Sequence, residues 1–120
     1  MAISCLIVDD NASFLEEAAA LLQRDGLVIA GLAANTREAI DKARELQPDV
    51  ALVDISLGSE SGLELARRLV DIDEGAPTVI LISTRAEVDF ADLIEEAPVA
   101  GFVPKAELSA SAILRLVGAA

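Results

Sequence analysis

Three acids, a hydroxyl and an amine stand at the ends of apolar runs in this 120-residue sequence. Asp9 and Asp10 follow ISCLIV (3–8), Asp54 closes VALVD (50–54), Ser83 closes TVILIS (78–83) and Lys105 closes AGFVPK (100–105). Adjacent carboxylates raise the cost of ionising one another, so a buried strand that ends on Asp9 and Asp10 calls for water or a cation to neutralise them. If the strands bring Asp54 beside that pair, up to three negative charges gather. A hard divalent cation with a preference for oxygen is the cheapest way to hold them together. Magnesium fits best, because it keeps several waters, takes one or two carboxylates and leaves room for a phosphoryl oxygen. Asp54 is then an oxygen nucleophile, with the cation and Lys105 drawing charge from a phosphoryl group in transfer. Such a transfer asks little of a protein beyond alignment and neutralisation. Its product is an aspartyl phosphate.

The elements that must position these residues alternate along the chain. Strand-like runs cover 3–8, 28–33, 50–54, 78–83 and 100–105, and helix-like stretches cover Ser13 to Arg24, Thr36 to Gln47, Gly62 to Val70, Glu87 to Glu96 and Ser109 to Val117. In the first helix Phe14, Leu15, Ala18, Leu21 and Leu22 form one apolar stripe, and Ser13 with Glu16 reads as a capping box. The second is introduced by Asn35 or Thr36, buries Ala39, Ile40, Ala43 and Leu46, and stops before Pro48. Between Glu87 and Glu96 the stripe is less regular. Five alternating βα units imply a parallel sheet with right-handed crossovers and helices on both faces. In such sheets ligands bind beyond the carboxyl ends of the strands, where the five polar residues sit.

Composition narrows the function classes. With 21 acidic residues against 9 basic ones the formal net charge is −12, a surface that repels a phosphate backbone, so no nucleic-acid binding is expected of this chain. Histidine is absent, which removes imidazole acid–base work, Ser-His-Asp triads and imidazole zinc sites. Cys5, the lone cysteine, lies inside an apolar run and reads as a buried hydrophobe suited to a reducing compartment. No basic residue precedes the first apolar run, which is too short for a signal peptide or a membrane span. A cytoplasmic protein with no membrane contact and one domain over residues 1–120 is expected.

Taken jointly, the Asp9-Asp10 pair, LVDISLGSESG around Asp54, ILIST ending at Thr84 and GFVPK ending at Lys105 resemble the receiver domain of two-component response regulators, the CheY-like family, over essentially the whole chain. The resemblance implies an α/β, doubly wound, flavodoxin-like (βα)5 fold with strand order 2-1-3-4-5. It implies that Asp9 and Asp10 bind Mg2+, Asp10 more directly, and that the backbone carbonyl of Ser56 completes the metal shell. Asp54 accepts the phosphoryl group from a sensor histidine kinase, a phosphotransfer protein or a small donor. Ser83 hydrogen-bonds a phosphoryl oxygen and Lys105 pairs with it. Phe102 stands where the family places its switching aromatic. On this pattern Ser83 moves toward the phosphoryl group, Phe102 rotates inward, and the surface of the fourth helix, fifth strand and fifth helix changes for an output protein.

Some positions depart from the family pattern. Gly58 stands where proline is usual, Thr84 replaces a smaller residue and is expected to crowd the pocket, and Ala106 follows Lys105 in place of proline, which leaves the isomer of that peptide bond open. Singly, each site residue also has a structural role: Asp10 or Asn11 can cap a helix, Phe102 can fill a core. Their joint placement favours the functional reading. A phosphohydrolase of haloacid-dehalogenase type would want DxD at the first strand, where this chain has Asn11 after Asp10. A flavodoxin-like cofactor binder would want a phosphate loop where DDNAS puts anions. A receiver that signals without phosphate is the remaining alternative. A stand-alone protein, not an enzyme beyond its own phosphorylation and dephosphorylation, is the expectation.

Overall fold

A computed structural model describes residues 3–84 and 98–117. Five strands, β1 (Ser4–Val8), β2 (Val28–Ala33), β3 (Val50–Asp54), β6 (Thr78–Ser83) and β7 (Gly101–Pro104), form one parallel sheet in the order β2-β1-β3-β6-β7. Counted along the chain, that is the expected order 2-1-3-4-5. A short antiparallel ladder, β4 (Ser56–Leu57) with β5 (Glu60–Ser61), follows β3 directly. The helices are α1 (Ala12–Arg24), α2 (Thr36–Leu46), α3 (Gly62–Val70) and a C-terminal helix, Ala110–Leu116. The helix expected from Glu87 to Glu96 lies outside the described residues.

Strand periodicity explains the layers, because successive side chains point to opposite faces of a sheet. Cys5 and Ile7 of β1 join Leu52 of β3 and Ile80 and Ile82 of β6 in a core covered by Leu15, Ala18 and Leu22 of α1 and Ile113 of the C-terminal helix. Leu6 and Val8 face the other way, with Val53 and Leu81, onto Ala39 and Ala43 of α2 and Leu65, Ala66 and Leu69 of α3. Both faces of the sheet are therefore buried, as its near-continuous apolar strands require.

Local chemistry sets the helix ends, with two corrections to the sequence reading. The side chain of Asn11, not Ser13, caps α1, accepting from the Phe14 amide at 3.2 Å, so the helix starts a residue earlier and Ser13 lies inside it. Leu46 is 42% exposed, because it falls at the last turn of α2, over Gly31 of the edge strand rather than over the core. Gln47, before Pro48, leaves the helix at φ 47°. Lys105 is outside the last strand and opens a 3-10 turn, Lys105–Glu107.

Cys5 is 0% exposed, and burial, with the charge of Asp49 second, pushes its thiol up to about 11. Native protein is expected to resist a thiol reagent at neutral pH and to react only once denatured. Full labelling of the native chain within minutes would contradict this packing.

Candidate functional site

Sheet register brings the strand ends together. Val8 pairs with Val53, so Asp9 and Asp54 stand side by side one residue further on. Asp54 pairs with Ile82, which places Ser83 one step beyond, and Ser83 pairs with Pro104, which places Lys105 one step beyond that. Each is a neighbour of the last on the carboxyl rim of the sheet. Asp9, Asp54 and Ser83 are buried at 0%, 7% and 5% exposure, and Asp10 is exposed at the rim.

The contacts are specific. Lys105 Nζ lies 2.5 Å from Asp9 Oδ2 and 3.1 Å from Asp54 Oδ2. The remaining carboxylate oxygens accept from the chain just downstream: Asp9 Oδ1 from the Asn11 amide at 2.9 Å, Asp54 Oδ1 from the Ser56 amide at 3.1 Å. Each turn thus aims its own carboxylate. Lys105 Nζ also sits 4.3 Å from the centroid of the Phe14 ring, on the first turn of α1. The sequence reading placed Phe14 in the core stripe and missed this contact. The signal was its position three residues past a cap at the end of β1, which turns it toward the strand ends.

One hairpin seats the pocket on the β3 side. The hairpin after β3 is held by the Gly62 amide donating to the Ile55 carbonyl at 2.7 Å. Glu60 ties the same hairpin to α2, accepting from the Thr36 amide at 2.8 Å, and this hydrogen bond lowers its pKa. Gly58 takes φ 65° beside Asp10 Oδ2, a left-handed conformation that proline cannot adopt. The peptide after Lys105 is trans, since the described residues hold no cis bond. Thr84 is exposed. Phe102 is 9% exposed and belongs to the core cluster that also holds residues of α2 and α3.

Burial dominates the electrostatics of Asp54 and raises its pKa, with the Asp9 charge adding to the rise, while the Ser56 amide and Lys105 oppose it. For Lys105 burial works against the ammonium, but its hydrogen bonds to Asp9 and then Asp54 prevail and its pKa is raised. The amine is held charged between two carboxylates. One oxygen from each of Asp9, Asp10 and Asp54 lies within 4.8 Å of the others, and Lys105 is the one partner of Asp9 Oδ2 among the described residues. An all-oxygen set with an excess of charge fits a hard divalent cation.

Adding Mg2+ is therefore expected to raise stability, by about 1.4 kcal/mol at tenfold excess over its dissociation constant. Asp54→Asn should shrink that gain. Without metal, the raised pKa of Asp54 means that the folded state holds this proton more tightly than the unfolded one. Its contribution is present at low pH and is lost as pH rises through the folded value, so protonation of Asp54 on acidification favours the folded state, and Asp54→Asn removes that part of the pH dependence. Denaturant titrations across pH and Mg2+ concentration read both effects. A parent indifferent to Mg2+ would count against the cation site.

Fold and pocket together define a class: a doubly wound α/β domain with an acidic, lysine-braced pocket at the carboxyl edge of its parallel sheet. The family model for the response regulator receiver domain matches residues 5–117, and the chain belongs to that family. A putative transcriptional regulator of Pseudomonas aeruginosa is 37% identical over 116 residues, covering 91% of this chain and 55% of its own length. The chain spans 55%, 62% and 52% of three such curated relatives, little more than half of each. The crystal structure of a LuxR-family two-component response regulator from Aurantimonas sp. superposes with a TM-score of 0.87 at 27% identity, covering 99% of this chain and 87% of that one. A response regulator from Burkholderia pseudomallei, solved with a phosphorylated aspartic acid, a calcium ion and citrate, gives 0.82 at 25% identity over 95% and 66% of the two chains. Among the described residues no helix is long and apolar enough to cross a membrane.

Proposed function

We propose that this chain is the phosphoryl-accepting switch of a two-component system and that Asp54 is the acceptor. The observation that carries the reading is the buried Asp9–Lys105–Asp54 arrangement, with Asp10 beside it, at one edge of the sheet. A carboxylate oxygen of Asp54 attacks the phosphorus of a phosphohistidine or small phosphodonor, a P–O bond forms as the donor P–N or P–O bond breaks, and the leaving group keeps the electron pair. Lys105 moves with the charge, from Asp54 toward a phosphoryl oxygen, and Ser83 donates to another. Asp9, Asp10, Asp54 and the Ser56 carbonyl would hold Mg2+, which when bound neutralises charge on the phosphoryl oxygens. The phosphorylated aspartate and calcium of the Burkholderia pseudomallei relative support this assignment by analogy.

Phosphorylation removes the negative Asp54 oxygen that Lys105 now contacts, so the β6–β7 edge is the part of the fold that must readjust. Phe102 lies on that edge, and the groove between β7 and the C-terminal helix, lined by Phe102, Pro104, Ala112 and Leu116, is where a partner would sense the change. A histidine kinase or phosphotransfer protein is the proposed donor, and a downstream protein the proposed receiver of the signal. A cytoplasmic location belongs to the same proposal.

Incubation with a small phosphodonor, followed by intact mass, tests the acceptor. The parent is expected to gain one phosphoryl group with Mg2+ and none without it, and Asp54→Ala to gain none. An equal gain by Asp54→Ala would overturn the assignment, and sustained turnover of a phosphate ester would revive a phosphohydrolase.

A further inference from the structure

We infer that Phe14 is a positioning residue for phosphoryl transfer: its ring anchors the Lys105 ammonium on the α1 side of the pocket through a cation–π contact. The inference rests on the reading of Asp54 as acceptor. Lys105 carries a compact charge on a flexible four-carbon stem, and a lone ammonium there could adopt many rotamers. Among the described residues its partners are Asp9 Oδ2, Asp54 Oδ2 and the Phe14 ring at 4.3 Å. The two oxygens are the atoms whose charge is altered or shared when a cation binds or a phosphoryl group arrives. The negative face of an aromatic ring changes with neither event. Phe14 is thus the partner that persists through the reaction.

The ring is itself fixed. Phe14 is half-buried against the α1 core, and its amide donates to the cap at Asn11, which directly follows the acidic pair. The cap, the Asp9 turn and the ring therefore move as one unit, so the lysine is referenced to the same segment that carries two of the carboxylates. Among the described residues Lys105 makes the one such cation–ring contact. Leucine in place of Phe14 keeps apolar bulk against the core and removes the attraction to charge, whereas tyrosine keeps both.

The chain has two lysines, Lys42 and Lys105, so the Hε resonances of Lys105 are identified by comparison with Lys42→Arg. Ring current from Phe14 is expected to shift the Lys105 Hε protons upfield in the parent and in Phe14→Tyr, and to vanish in Phe14→Leu. In parallel, the rate at which intact mass rises with a small phosphodonor and Mg2+ is expected to fall about three- to tenfold in Phe14→Leu and to recover in Phe14→Tyr. Amide spectra of both variants report whether the fold is kept. A parent without the ring shift, or Phe14→Leu phosphorylated at the parental rate, overturns the inference while leaving Asp54 as acceptor. A parent that gains no phosphoryl group overturns the Asp54 reading and this inference with it.

Discussion

Gly62→Ala is expected to lower unfolding free energy by about 3 kcal/mol or more and to cripple phosphorylation with it. A Cβ built on Gly62 falls 1.9 Å from the Asp54 carbonyl oxygen, 2.8 Å from its carbonyl carbon and 2.9 Å from Ile55 Cα. These are backbone atoms, so no rotamer relieves the overlap. The chain must instead open between β3 and α3, stretching the 2.7 Å hydrogen bond from the Gly62 amide to Ile55 and shifting the proposed acceptor. Gly26→Ala is the control: its φ of 99° makes alanine strained there, but nothing lies within 4 Å, so the loss should be about 1 kcal/mol and should leave the pocket untouched. Denaturant midpoints and phosphorylation rates of the two variants make the comparison. Equal, small losses in both would contradict the close approach at Asp54.

Lys105→Met is expected to cost about 3 kcal/mol in metal-free protein at neutral pH, because it strands Asp9 and Asp54 as buried, unpaired carboxylates. The loss resides in the acids more than in the lysine. Asp54→Asn in the same chain should therefore restore a large part of the stability, so that the double variant is more stable than Lys105→Met alone. Mg2+ should also restore some of it by replacing the missing positive charge. A double-mutant cycle by urea denaturation, with and without Mg2+, measures the coupling, and strictly additive losses would contradict a shared electrostatic unit. Phosphoryl acceptance should suffer separately, since Lys105→Met removes the charge proposed to follow the transferring group.

What the sequence disclosed follows from where the physics is local. The apolar runs that end on Asp9, Asp54, Ser83 and Lys105 are legible because a parallel sheet buried on both faces leaves its polar residues at the strand ends. The register that aligns Asp9 with Asp54, and Ser83 with Pro104, follows once the strand order is known. Choices that depend on three-dimensional neighbours were harder to read. Ser13 and Asn11 both suit a cap, and the turn after Asp9 decides for Asn11. Leu46 fits the α2 stripe by spacing, yet it lies over Gly31 of the edge strand and stays exposed. Phe14 satisfies the same stripe rule as Leu15, and only the approach of Lys105 from the far end of the chain separates its role from simple burial. The ladder between β3 and α3 is two residues on each side, too short to leave a periodic signal.

The central claim is that Asp54 carries the phosphoryl group, and borohydride trapping followed by peptide mapping tests it most directly. An acyl phosphate is reduced by borohydride to the alcohol, so a phosphorylated aspartate becomes homoserine and leaves a permanent mark in the sequence. After treatment with a small phosphodonor and Mg2+, homoserine is expected at position 54, with none at 9 or 10 and none when Mg2+ is omitted. Homoserine at Asp9 or Asp10, or a phosphoryl gain that leaves Asp54 unreduced, would contradict the account.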